Sequence, residues 1–452
     1  MKIIIPFSYY HPEQCAGLFV IDDMTEEAAH QGIESLVTVP TPTRNVKPDA
    51  QWSRDETLCE GMVQIHRFRM YGEGKNPFLR ALRYLFCEFA QLHYMLWKDY
   101  DVAFIDSTPP IQGLKLPIVR LFRKKPVVYN AQDLFPETLS GTGLARSGGL
   151  LWKIGQWVSN VTFKNSDKII AISQDIKRSM VARGVPAEKI EVVYNWVDEK
   201  AVQPVSKEEN PLYEEFGLSR DKFTVVYAGN LGNAQNIGII LQAAKRFNVN
   251  DNDNLNKDLD ANLKVGGDKK TVNVNVKVKV DPQFVIFGTG GLENELRREI
   301  EKNQLTNVYL FPLQPFERVS QVYSLGDACI VSCKAGLGGS AMPSKTWTIM
   351  SCGRPVVASF DEGELKEILE GNVNDNANAN DNHNDKPKPC GVFSHAGNVQ
   401  EFVDAIKQLA ANKERCEEMG KNAREYILKN LTKEVGTRRY VDIIKSIALE
   451  GK

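Results

Sequence analysis

Short apolar runs that recur with helical patterns between them constrain this chain more than any other feature. In the first half they are KIIIPF, SLVTVP, VQIHRF, VAFID, PVVYN, KIIAIS and IEVVYN. They are apolar almost without alternation, as expected of strands covered on both faces by helices in a parallel sheet. After the polar connection VQPVSKEENPLYEEFGLSRDK the register restarts with FTVVYAG, FVIFG, VYLFP, ACIVS, PVVAS and GVFS. Two successive sets of αβ units predict an α/β fold of two Rossmann-like, doubly wound domains facing a cleft, with bounds at 1–203 and 204–430. Ligands of such folds bind at the carboxyl ends of strands, so the cleft is the expected site.

A length of 452 residues agrees with two domains. The net charge of −1 argues against wholesale nucleic-acid binding. The eight cysteines (15, 59, 87, 329, 333, 352, 390, 416) form no CxxC and no zinc-like spacing with histidine, which predicts buried thiols in a reducing compartment and no metal site. MKIIIPFSYY reads as a first strand because its apolar run is too short for a signal peptide. No stretch of about 18–20 uncharged apolar residues is present. FLRALRYLFCEFAQLHYMLW, interrupted by Arg80, Arg83, Glu88 and His93, reads as an amphipathic helix.

Two segments, at about 248–282 and 372–389, are rich in Asn, Asp and Lys and both begin NVNDN. Such composition cannot bury enough apolar surface to offset ordering entropy, so both read as loop insertions in the second domain. In the first, Val272, Val274, Val276, Val278 and Val280 alternate with polar residues, which predicts one apolar strand face. His383 in the second reads as a solvated residue.

AMPSKTWTIMSCGRPVVAS (341–359) carries the most chemistry. Pro343 suits a first helical turn, Gly353 is placed to end the helix, and VVAS re-enters the sheet. The preceding glycine-rich KAGLGGSAM lets backbone approach a ligand closely. Lys345 stands in the first turn, where the helix dipole disfavours a cation, so an anion is expected there, a diphosphate in this reading; a plain surface lysine is the alternative. VVYAGNLGNAQNIGIILQAAKRF (225–247), with Gly229, Asn230, Gly232 and Gln235, and FVIFGTGGLENELRREI (284–300), with Gly288, Gly290 and Gly291, are two more strand–loop–helix units. Neither has the full GxGxxG spacing of a dinucleotide fold. In the first domain FSYYHPEQCAGLF offers Tyr9, Tyr10, His11 and Gly17, and PVVYNAQDLFPETLSGTGL offers Asn130, Gln132, Asp133 and Glu137 at a strand end. Asp133 is either a functional carboxylate or a cap.

The order of QDLFPE, FKNSDKIIAIS, KIEVVYNWVD, VVYAGNLGNAQNIGIILQAA, FVIFGTGGLENELRREI and PSKTWTIMSCGRPVVAS resembles the retaining GT-B glycosyltransferases of family 4 (glycosyl transferases group 1), and within them bacterial cell-surface polysaccharide enzymes similar to L-fucosaminyltransferases. The resemblance runs through everything but the Asn-rich insertions. It implies that 1–203 receives the acceptor, that 204–430 holds a nucleotide-sugar, and that 431–452 is a helix crossing back onto the first domain. It also implies retaining transfer that needs neither metal nor bound cofactor, because helix dipoles and basic side chains stabilise the leaving diphosphate.

The chain departs from that family pattern at four places. Thr348 stands where many members carry a ribose-binding carboxylate, and Ser340 replaces its acidic partner. Asn230 and Gln235 replace a loop Arg and Lys, and Gln132 replaces the His before Asp133. Lys345 is then the main positive charge left for the diphosphate, and Asp361, Glu362 or Glu364 are candidates for the lost ribose contact. The resulting expectation is transfer of an N-acetylated sugar from UDP to a lipid-linked or growing glycan. Asp133 and Lys345 would be catalytic. Gly229, Asn230, Gln235, Gly288, Gly290, Gly338, Gly339, Ser340, Ser344 and Thr348 would line the donor site, with Tyr9, His11, Gly17 and Gln132 on the acceptor side. Arg80, Arg83, Arg120, Arg123, Lys124 and Lys125 beside apolar residues suit an anionic membrane surface, predicting a cytoplasmic protein peripheral on the inner membrane face. The rival readings are a nucleotide-sugar 2-epimerase and a degenerate nucleotide-binding subunit.

Overall fold

The computed structural model describes residues 1–13, 15, 17–43, 46, 50–72, 77–137, 148–248, 280–340, 342–372 and 387–450. Eight strands form the first sheet: β1 (Lys2–Pro6), β2 (Glu34–Pro40), β3 (Asp55–Leu58), β4 (Val63–Phe68), β5 (Val102–Asp106), β6 (Val127–Ala131), β7 (Lys168–Ala171) and β8 (Ile190–Val192). Their order is β3-β4-β2-β1-β5-β6-β7-β8, parallel except for the β3–β4 pair. Ile3, Ile4 and Ile5 of β1 are all fully buried, Ile4 in one cluster and its neighbours in another, which is why the run does not alternate. The four mostly exposed residues of β3, three polar and Leu58, carry no apolar run, so sequence reading passes over them.

The helices Pro77–Trp97, Leu116–Arg123 and Leu150–Asn165 pack in succession against one face of this sheet. Leu18–His30 packs with Lys433–Glu450 against the other. The second sheet contains β9 (Thr224–Asn230), β10 (Gln283–Thr289), β11 (Val308–Phe311), β12 (Ala328–Ser332), β13 (Val356–Phe360) and β14 (Gly391–His395), all parallel, in the order β11-β10-β9-β12-β13-β14. That is the doubly wound order, and it reverses direction between β9 and β12, where such folds leave a crevice.

The chain returns to its beginning at the end. Arg424 donates to the carbonyls of Glu199, Val202 and Ser351, clamping the connection between the sheets. Thr432 then bridges to Val197. Lys433 Nζ lies 2.8 Å from both Asp23 and Glu26, and Trp196 Nε1 donates to Asp23 at 2.7 Å. A Cβ at Gly436 would stand 2.3 Å from the Trp196 ring, so only glycine lets the last helix pass this closely.

Six cysteines are buried, Cys15 is half-buried and Cys59 is exposed; all are free thiols. Among the described residues no helix is long and apolar enough to cross a membrane. Val272, Val274, Val276, Val278 and His383 lie outside the described residues. One expectation needs correction. Arg83 is not on the outer face of its helix: it is buried and donates to the Tyr71 carbonyl at 2.7 Å, because its helical position points at the loop that follows β4.

Candidate active site

The donor-side residues gather where the second sheet changes direction. Lys345 opens the helix Lys345–Ser351, which follows β12 and is stopped by Gly353 at φ +65°. Buried Trp347, Ile349 and Met350 anchor this helix and fix the direction in which Lys345 leaves it. The lysine reaches back to β9, where Nζ donates to the Ala228 carbonyl at 3.1 Å and sits 4.1 Å from the centre of the Tyr227 ring. Tyr227 is itself held, its hydroxyl donating to the Asn230 carbonyl at 2.8 Å. Among the described residues no carboxylate pairs with this ammonium. Loss of water around it pushes its pKa down to about 8.

The glycines of this region have steric reasons. Gly229 has φ +140°, and a Cβ there would fall 2.8 Å from Lys345 Nζ. Gly288 pairs in register with Gly229; its Cβ would lie 2.5 Å from the Gly229 carbonyl oxygen and 2.7 Å from Leu231. Gly290, at φ +157°, lies under Asn230 and the Leu231 carbonyl. Because backbone blocks the space, Gly288→Ala is expected to lower stability by about 1–3 kcal/mol, read as a lower Tm. An unchanged Tm would mean that β9 and β10 tolerate separation.

Other donor-side positions are arranged around this point. Asn230 is exposed, and Gln235 keeps a buried Oε1 with no hydrogen-bond partner among the described residues. Gly338 and Gly339 lie in the short turn Gly338–Ser340, and Asp361 accepts from the amides of Gly336 and Gly338 at 2.8 Å each. This turn packs against Gln174–Ala182 of the first domain. Ser344 is exposed and its hydroxyl does not cap the helix. Thr348 is half-buried three residues after Lys345, on the same helix side.

Of the three acidic candidates for the ribose contact, Asp361 ties down the glycine turn and Glu362 pairs at the surface with Lys366 and His395. Glu364 is buried between the domains. It accepts from the Gln174 amide at 2.7 Å and from the Tyr194 hydroxyl, while its own amide donates to Asp175 at 2.9 Å. Burial pushes Glu364 up to about 7. No sequence signal pointed to this contact, whose partners are some 170–190 residues apart.

On the acceptor side a polar network lies beneath the Gln132–Asp133 turn. Asn130 donates to buried Asp106 at 2.9 Å and accepts from Tyr440 at 3.0 Å and from Gln132 at 3.1 Å. Asn195 closes it, donating to Gln132 at 2.7 Å. Gln132 is therefore held by β6, by the connection between domains and by the last helix at once. Desolvation, with Asp133 nearby, raises Asp106 to about 7. Asp133 keeps an exposed edge, yet the protein surrounding it raises its carboxyl to about 6. His11 is exposed and bonded to Asp22 at 2.8 Å, which favours its protonated form. A Cβ at Gly17 would touch only the Phe7 ring, at 4.0 Å. Tyr9 is buried with its hydroxyl against Tyr84 at 2.7 Å, leaving a ligand little to touch. Among the described residues no group of three His, Cys, Asp or Glu side chains is placed to hold a metal ion.

Two family models match in succession: Glycosyltransferase Family 4 over residues 19–201 and Glycosyl transferases group 1 over residues 210–426. The chain is 23% identical over 391 residues to the putative colanic acid biosynthesis glycosyl transferase WcaI of Escherichia coli (strain K12), covering 82% of this chain and 87% of that one. Its fold is similar to that of Anabaena Alr3699/HepE in complex with UDP and glucose, with a TM-score of 0.66 at 15% identity over 99% of this chain and 100% of the other. It is similar also to sucrose-phosphate synthase from Thermosynechococcus elongatus, with a TM-score of 0.71 at 13% identity over 99% of each chain. With both sheets and both sequence halves accounted for, the chain belongs to the GT-B glycosyltransferases, its first half in family 4 and its second in glycosyl transferases group 1.

Proposed function

We propose that this protein transfers a sugar from a nucleoside-diphosphate carrier, UDP in this reading, to a lipid-linked or growing surface glycan. The observation that carries the reading is Lys345: a desolvated ammonium, held by a carbonyl and an aromatic face, at the crevice between β9 and β12. A leaving diphosphate gains negative charge as the glycosidic bond breaks. A cation already fixed at that point stabilises the transition state more than the ground state. The Gly339 amide would hold a sugar hydroxyl beside the Gly338 amide that Asp361 occupies, while Gly229, Gly288 and Gly290 let Lys345 and the β9 and β10 strand ends pack closely beneath the nucleotide. Asp133 would contact acceptor or sugar near the reacting carbon.

The surface-glycan part rests on the similarity to the colanic acid enzyme, and the UDP part on the fold shared with a UDP-bound protein. In this reading the sugar is N-acetylated, of the L-fucosaminyl type, and its configuration is retained. The leaving phosphate takes the acceptor proton, and neither metal nor cofactor takes part.

The test is a donor screen with UDP-, GDP-, ADP- and CMP-linked sugars and a lipid-linked disaccharide acceptor, the product's anomeric signal being read by NMR. Transfer from a UDP-sugar with retained configuration is expected. Conversion of the donor without any acceptor would favour an epimerase, and inversion would overturn the retaining mechanism. Folded protein inert towards every donor would favour a nucleotide-binding subunit.

A further inference from the structure

Beneath the acceptor side of the first domain lies a buried ammonium that has no part in the transfer chemistry proposed above. Lys115 ends the short turn Pro110–Lys115, and its Nζ donates to Glu88 at 2.7 Å, to Gln91 at 2.8 Å and to Gln112. Glu88 and Gln91 come from the helix Pro77–Trp97. All four side chains are buried, Gln91 and Gln112 completely. An ammonium has three N–H bonds and accepts none, so these partners use it fully.

The two glutamines are oriented by this charge. Each turns its amide oxygen towards Lys115, which leaves both NH2 groups pointing away from it. Gln91 Nε2 donates to the Phe7 carbonyl at 2.9 Å, and Gln112 Nε2 donates to the Thr108 carbonyl at 3.2 Å and the Ser8 hydroxyl at 3.3 Å. Phe7 and Ser8 lead from β1 into the segment with Tyr9, Tyr10 and His11. Thr108 follows β5. Its amide donates to Asp106 at 3.0 Å, and the neighbouring Ser107 hydroxyl accepts from the Gln132 amide at 3.1 Å. Packing alone would not call for a charge here. A buried ion pair is often no more stable than apolar side chains of similar volume, and Glu88 Oε1 is buried with no hydrogen-bond partner among the described residues.

We propose that Lys115 is a positioning residue for acceptor binding: it fixes the amides of Gln91 and Gln112, and through them the ends of β1 and β5 that support His11 and the Gln132–Asp133 turn. It touches no substrate. Without the ammonium either amide can turn over and set its oxygen against a loop carbonyl, and the two strand ends then lose their shared anchor. The donor-side residues stand on the second sheet and should be unaffected. The kinetic part of this role rests on the transferase reading above; the ordering of the two strand ends does not.

Lys115→Met alone leaves Glu88 charged and unpaired in the core, so the test uses the full chain with Glu88→Leu/Lys115→Met, which should fold and melt cooperatively. Its KM for the lipid-linked disaccharide acceptor is expected to rise at least tenfold, while its donor KM and UDP affinity stay within about twofold of wild type. Hydrogen exchange read by mass spectrometry should speed up at least tenfold in peptides covering 7–13 and 106–112 and stay unchanged at 336–340. A wild-type acceptor KM with wild-type exchange would overturn the inference. So would a loss that falls on kcat alone or on both KM values alike. A double variant that does not fold would also overturn it, by showing that the core itself needs the pair. Wild type inert towards every donor, with faster exchange confined to 7–13 and 106–112 in the variant, would support the positioning role and count against the transferase reading alone.

Discussion

Lys345→Met should lower kcat by about 10²–10³-fold, the loss typical when one preorganised group that stabilises developing negative charge is removed. The substitution keeps the apolar stem, and the group it deletes is desolvated with no carboxylate partner among the described residues, so Tm should hold or rise. A structural lysine would behave in the opposite way. The pH dependence sharpens the distinction. The folded pKa of about 8 lies below the ordinary 10.5. Between those values the unfolded chain binds more protons, so this group's contribution to stability rises with pH across that window. Diphosphate binding needs the charged form, so kcat/KM should fall as pH passes about 8. Stability and activity should therefore move in opposite directions in the wild type, and the stability trend should be missing from Lys345→Met. Thermal melts and initial rates from pH 7 to 10 check both. Lys345→Arg should rescue poorly, because a guanidinium has no room between the Tyr227 ring and Gly229.

The second large effect is expected at Glu364. Glu364→Ala would strand the Gln174 amide and the Tyr194 hydroxyl, both part of the contact between domains. Each buried donor left without an acceptor costs about 1–3 kcal/mol. A fall in Tm should accompany a raised KM for the donor, since this contact lies beside the helix that supports the glycine turn. The acid limb carries a sign. Glu364 has a folded pKa of about 7 against an ordinary 4.5. Its contribution to stability is fully present below about 4.5 and is lost as pH rises through about 7. Asp106 titrates in the same direction. The decline in Tm between pH 5 and 8 should therefore shrink in Glu364→Gln without vanishing. A slope unchanged from wild type would place the titration elsewhere.

Most of both sheets was legible because most strands announce themselves by an apolar run buried on both faces, although β4 alternates and β11 is only partly buried. One strand, β3, is an edge strand of three polar residues and Leu58, and its pairing depends on β4 rather than on its own composition. The helix stop at Gly353 and the glycine loops that follow β9 and β10 were legible because glycine at a strand end or helix end has few other uses; the pairing of Gly229 with Gly288 was not. What the sequence did not show was partnership. The reach of Lys345 onto Tyr227 spans more than a hundred residues. Glu364 with Tyr194, and Gln132 with Asn195 and Tyr440, likewise depend on how two sheets and a returning helix come together. Arg83 shows the converse, since a charged residue at an amphipathic position was read as exposed and is buried. Leu150, Leu151, Ile154 and Trp157 were missed as a surface because their exposure depends on a neighbouring helix, not on their own spacing.

The most direct measurement is calorimetric titration of UDP into wild type and Lys345→Met at pH 7 and pH 9.5. Wild type should bind at pH 7 and weaken at pH 9.5 by about tenfold or more, as expected when the ammonium loses its proton above about 8. The variant should bind weakly and equally at both values. Equal affinity in the two proteins, or no pH dependence in wild type, would contradict the assignment of the diphosphate to Lys345.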